Sequence, residues 1–210
     1  MKKLLFLIIA AATVGACFCF LAPKRYSPGV LIRREPEQRM LSRPVDPIQK
    51  GRFTIRPLAE YSTDARVLHL KHYRAGEIAQ FAPYDLAAGW GAMSDQSVLD
   101  RLTISQGNRF YFWEYEGSSP IPKNEIISHS SNMHLIPADA TVRSRIAWLR
   151  RGELVRLKGY LVEVTTPGMT PWRSSLSRTD TGNGACEIMW VESVEKVTVN
   201  SSKSAANGTP

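Results

Sequence analysis

The chain has 210 residues, 43% of them hydrophobic and 22% charged, enough apolar material for one sizeable core, which excludes a wholly disordered chain. Its formal net charge of +8 is unevenly placed: residues 1–44 carry eight Lys/Arg against two acids, and residues 45–210 carry nineteen against seventeen. The basic excess belongs to the N-terminal tail, so the domain lacks a phosphate-tracking surface and no nucleic-acid partner is expected.

Behind the basic head Met1–Lys3 runs a stretch of nineteen uncharged residues, Leu4–Ala22, long enough to cross a bilayer. Three readings compete for residues 1–22. An uncleaved signal anchor uses the full length of the run. A cleaved signal peptide would end after Val14-Gly15-Ala16. The same residues, ending in Cys17, form a lipoprotein-like box with Cys17 as the candidate acylated residue. All three tether or deliver the domain across the inner membrane to its periplasmic side. The basic residues on both sides of the run leave a cytoplasmic domain as the minority reading.

Residues 23–50 hold five prolines and scattered arginines without periodicity, and read as an extended linker. Its cations either lie on anionic headgroups or are simply solvated. A globular domain is expected over 51–199, with 200–210 a polar disordered tail.

Within the domain, Phe53-Thr54-Ile55 reads as a short strand stopped by Pro57. In Ala65–Tyr73, strict alternation places Val67, His69, Lys71 and Tyr73 on one face and Leu68, Leu70 and His72 on the other. Pro83–Met93 opens with proline and an acid, as helices do. Ser94-Asp95 caps a second short helix. Thr103–Ser105 and Arg109–Tyr115 form strands joined at Gly107-Asn108. Glu125–Ile136 is part strand, interrupted at Ser130-Ser131-Asn132. Ala140–Arg151 is the clearest helix, with Val142, Ile146 and Leu149 on one stripe, Trp148 widening it and Gly152 ending it. Glu153–Thr165 and Glu187–Val199 are the clearest strands. Trp148, Leu149, Leu157, Leu161, Ile188 and Val191 are the expected core.

The fold class is therefore α+β, mostly antiparallel, with two or three short helices behind an N-terminal membrane segment. A strand, a helix closed by Gly152 and two long strands suggest an OB-like barrel. In such barrels the final loop, here Trp172–Glu187, serves ligands. The stretches WGAMSD (90–95), NMHLIPA (132–138) and SSLSRTDTGNGACEIMWV (174–191) resemble uncharacterised bacterial membrane-anchored proteins. That resemblance implies a cell-envelope setting and supplies no activity.

The candidate ligand-binding residues are Trp172, Arg173, Ser175, Arg178 and Asp180 on this loop, with Asn132 and His134 facing it. Arg178 or Arg173 would hold an anionic group beside the Trp172 ring, and Arg178 is expected to reach the Ser128–His134 segment. The plainer reading is that Asp180 caps its own turn while Gly182 and Gly184 take positive φ. His129 and His134, five apart, could share a metal only if a third ligand joined them, and hydrogen-bonded histidines are the default. Cys186 beside either histidine would make a thiolate–imidazole pair, but its apolar neighbours suggest burial. No Walker, dinucleotide or nucleophile-elbow pattern occurs, so no cofactor is expected. The first expectation is a non-enzymatic tethered module for an envelope protein or other envelope ligand. The alternative is a hydrolase, with or without metal, using His129/His134 and the Asp180 loop.

Overall fold

The computed structural model describes residues 22–177 and 186–198. The expectations for residues 1–21, among them Cys17, and for the tail from 199 lie outside them. Among the described residues no helix is long and apolar enough to cross a membrane.

The fold grows from one strand. After two short strands, β1 (Glu37–Met40) and β2 (Ile48–Lys50), β3 runs from Phe53 to His72 and touches four partners. Pro57 does not stop it, contrary to the sequence expectation. The register against its neighbour shifts between Pro57 and Ala59, and a bulge is where a strand tolerates a residue without N–H. A second shift, between Val67 and His69, corrects the expected alternation. Val67 shares a cluster with Leu86 and Ala88, against which Leu70 packs, while Leu68 joins Ala87 in a separate one. One extra residue has exchanged the faces, though His69 and His72 still point to opposite sides.

Tyr84–Gly89 is strand β4, not a helix, and every one of its six residues is buried. A strand covered on both faces shows an unbroken apolar run, which periodicity alone cannot tell from a helix. A 3-10 turn at Gly91–Ser94 leads to α1 (Gln96–Leu99), where Asp95 accepts from the Ser97 amide as the expected cap. β5 (Thr103–Gly107) and β6 (Phe110–Glu114) form a separate hairpin. Residues 123–128 are helical (α2, Lys123–Ser128), and β7 (Ser130–Pro137) runs straight through the Ser-Ser-Asn expected to break it. Asp139 caps α3 (Ala140–Ala147) through the Val142 amide. The chain ends in β8 (Leu154–Thr165), β9 (Trp172–Arg173) and β10 (Glu187–Lys196).

The pairings β3–β4, β4–β7, β7–β10, β10–β8 and β8–β3 form a closed circuit, antiparallel except for β7–β10. All five strands contribute to one core cluster, which Val142 and Ile146 of α3 and Leu149 just beyond it complete. Leu149, Leu157, Leu161, Ile188 and Val191 are buried as expected. Trp148 is not: it is 68% exposed and closes the helix as its C-terminal cap. Six residues past Val142 lies about 240° around a helix, well off the apolar stripe.

Leu161 is fully buried, facing Ala59 and Met189 across its two neighbouring strands. Leu161→Ala is expected to cost about 2–5 kcal/mol, the range for a large-to-small change that leaves a cavity. Urea unfolding measures it, and an unchanged midpoint would place Leu161 outside the core.

The segment 23–50, expected as a linker, is fastened to the domain. Lys24 donates its amide to Arg151, and Gly91 donates to Ile32, which is itself buried. Ser94 Oγ accepts from the amides of Leu31 and Ile32, and Asp95 from that of Gly29. β1 and β2 then add to the β3 ladder. Prolines keep this strap extended without preventing it from bonding sideways.

Candidate functional site

The site grows from the outer face of β4 and β7. Directly opposed residues of an antiparallel pair share a face, and the register sets Asp85 against His134 and Ala87 against Asn132. His69 stands beside Ala87 on β3, and Ile188 of β10 flanks His134.

The β5–β6 hairpin folds over this face and sets Arg109 against it. Its turn residues are Asn108 and Arg109, at φ 51° and 68°, the left-handed pair that a two-residue hairpin demands. Arginine is disfavoured there, but each polar part of it is held. Its amide donates to Tyr73 Oη at 3.0 Å, and its carbonyl accepts from Asn132 Nδ2 at 2.9 Å. Its guanidinium donates to Ala82 O at 2.9 Å and Asp85 Oδ1 at 2.7 Å, and lies 3.8 Å from the Tyr73 ring centroid.

Asp85 Oδ1 also pairs with His134 Nδ1 at 2.8 Å. A carboxylate can only accept, so Nδ1 carries the proton. The Asp85 side chain is 0% exposed, and its Oδ2 has no hydrogen-bond partner among the described residues. Trp172 lies 4.7 Å from the His134 ring and meets Phe81 edge-on at 5.7 Å, roofing the pair. A second relay runs alongside. Gln106 Nε2 donates to Asn132 Oδ1 at 2.6 Å, and Gln106 Oε1 contacts His69 Nδ1 at 2.9 Å. Asn132 Nδ2 also approaches Cys186 Sγ at 3.8 Å. Burial, reinforced by the Asp85 carboxylate, pushes the Tyr73 phenol above its ordinary range against the Arg109 amide and guanidinium. Burial alone pushes Tyr111 to about 12, against the Ser130 hydroxyl.

Of the residues singled out in sequence, the fold gathers Asn132, His134 and Trp172. Arg173 is outside this cluster: it pairs with Glu163 at 3.0 Å, whose other oxygen holds Arg56. Ser175 is buried in its own turn, its amide bonded to Cys186 O and its hydroxyl to Ser177 O. Arg178 and Asp180 lie outside the described residues, as does the expected contact from Arg178. His129 does not meet His134. Four extended residues of β7 separate Ser130 from His134 by roughly 13 Å, and the His129 ring packs against Gly91. Among the described residues no group of three His, Cys, Asp or Glu could hold a metal ion.

Asp85, Arg109, Gln106, Tyr73 and His69 were not singled out. One signal was present: Asp85 is the lone charge in an apolar run, and a charge buried in a strand requires a partner. Its partner lies 24 residues away across a hairpin, a separation that local spacing does not encode. Comparison with protein-family models, curated proteins and solved structures finds no match to this chain.

Proposed function

We propose that the chain is a single-pass, inner-membrane-tethered binding module of OB-like barrel type, with its domain on the periplasmic side, and that its ligand is an envelope protein. The strand circuit supports the barrel reading: β7 and β10 run parallel, and α3 connects β7 to β8. In OB barrels the second and third strands carry the ligand face. Here those strands are β4 and β7, and the chain's own hairpin covers them.

The observation that carries the binding reading is how the polar groups on that face are used. Asp85, His134, Arg109, Asn132 and Gln106 bond to one another beneath Trp172, so they fasten the hairpin and leave recognition to its outer side. There Phe110 and Phe112, 38% and 48% exposed, stand 6.5 Å apart on β6. Neighbouring exposed aromatics are the residues that anchor protein interfaces. The hydrolase reading is favoured by one feature, the Asp85–His134 pair, which is how a general base is oriented.

A photo-crosslinking residue at position 112 of the full-length chain, activated in intact membranes, separates the two. A discrete adduct that disappears with Phe110→Ser supports the binding module. No adduct, together with a membrane hydrolytic activity that His134→Gln removes without loss of folding, would replace it with the hydrolase.

A further inference from the structure

We infer that a cleft beneath the N-terminal strap, at the Gly89 end of β4, binds a phosphate group. The cleft has a volume of about 260 Å³ and is lined by Lys24, Arg25, Arg66, Arg151 and a single acid, Asp100. Arg25 already holds Asp100 through both carboxylate oxygens, at 2.8 and 2.9 Å. Lys24, Arg66 and Arg151 have no carboxylate in ion-pair contact among the described residues.

Arg66 is the unusual member. It is 2% exposed, yet its partners are neutral: Ser94 O at 2.9 Å, Lys24 O at 3.4 Å and Gln96 Oε1. Its guanidinium lies 5.1 Å from the Tyr26 ring centroid, and its Nε has no hydrogen-bond partner among the described residues. Burial, the largest cause, holds it below the ordinary guanidinium range, and Arg151 and Arg25 push the same way against Tyr26 and Asp100. A buried cation with no carboxylate in direct contact is costly, and an anion in the cleft above it supplies a nearer counter-charge than Asp95 or Asp100.

The rim fits a tetrahedral oxyanion. Lys24 and Arg151 are exposed and bring one ammonium and one planar fork from two chain segments, beside Arg25, which is engaged by Asp100. The Lys24–Arg151 backbone bond holds those segments together at 2.8 Å. Gly152 makes the approach feasible, since a Cβ there would fall 1.9 Å from Lys24 O. On the tethered reading proposed above, Pro23 and Lys24 on the cleft wall follow directly on the apolar run that ends at Ala22, and the cleft would then lie at headgroup level. The same chemistry also suits a free phosphorylated ligand.

The test uses the full-length chain in a neutral detergent, with Tm read by intrinsic fluorescence. Inorganic phosphate is compared with chloride at equal ionic strength, and dihexanoyl phosphatidic acid with dihexanoyl phosphatidylcholine. A ligand at a hundred times its Kd is expected to raise Tm by roughly 5 °C or more. The rise should vanish in the Lys24→Ala/Arg151→Ala variant, whose two positions are exposed. A rise with phosphatidic acid alone assigns the cleft to a lipid headgroup, and a rise with both ligands assigns it to phosphate from either source. No rise with either, or an equal rise in the double variant, overturns the site.

Discussion

Arg109→Met lowers stability by about 3–5 kcal/mol, the cost of removing one partner from a buried ion pair while the other stays charged. Asp85, whose side chain is fully buried, would keep His134 as its only ion-pair partner among the described residues. The substitution also releases the hairpin, because the guanidinium is its attachment to Ala82 and Asp85. Denaturant unfolding should show the loss, and limited proteolysis should show earlier cutting between 103 and 114. In Arg109→Met/Asp85→Asn, where the stranded charge is gone, part of the loss should return. A loss below about 1 kcal/mol in the single variant would mean that the hairpin is held by its apolar contacts instead.

Gly159→Ala is expected to cost about 3 kcal/mol or more, from two sources that act at one atom. The backbone there has φ +155°, and a Cβ would stand 1.9 Å from the carbonyl oxygen of Trp190. Both the glycine and the obstructing oxygen belong to backbone in the β8–β10 ladder, close to the register shift between Val191 and Ser193. No side-chain rotation can relieve the overlap, so the strands must part, adding overpacking of about 1–3 kcal/mol to backbone strain of about 1–3 kcal/mol. Lys158→Ala, at the exposed neighbour, should stay within about 0.5 kcal/mol. Equal midpoints for the two variants in guanidinium would show that the ladder accommodates a methyl group.

The sequence by itself determined the elements whose cause is local. β8 and β10 follow from long apolar patterns, α1 from Asp95 at its start, and α3 from the stripe of Val142 and Ile146, although that helix ends at Ala147 with Trp148 as its cap, short of the expected stop at Gly152. The β5–β6 hairpin was legible too, with its turn one residue later than Gly107-Asn108 suggested. Asn132, His134 and Trp172 were legible as candidate site residues because polar and aromatic side chains stand out beside strands.

Only the tertiary structure decided the rest. Tyr84–Gly89 became a strand because β3 and β7 pair with it on both sides, and those bonds outweigh any local helical start. β3 continues through Pro57 because a bulge absorbs the missing donor, and the bulge near Leu68 reverses which side chains face inward. The strap of 23–50 looks unstructured in sequence because its partners, Ser94, Asp95, Arg151 and β3, lie tens of residues away. The same holds for Asp85, Arg109 and His134. Each alone is an ordinary polar residue, and the buried pair exists because strand register and a hairpin turn bring distant residues to one oxygen atom. Periodicity reports which side of an element is apolar, whereas the site depends on which elements become neighbours.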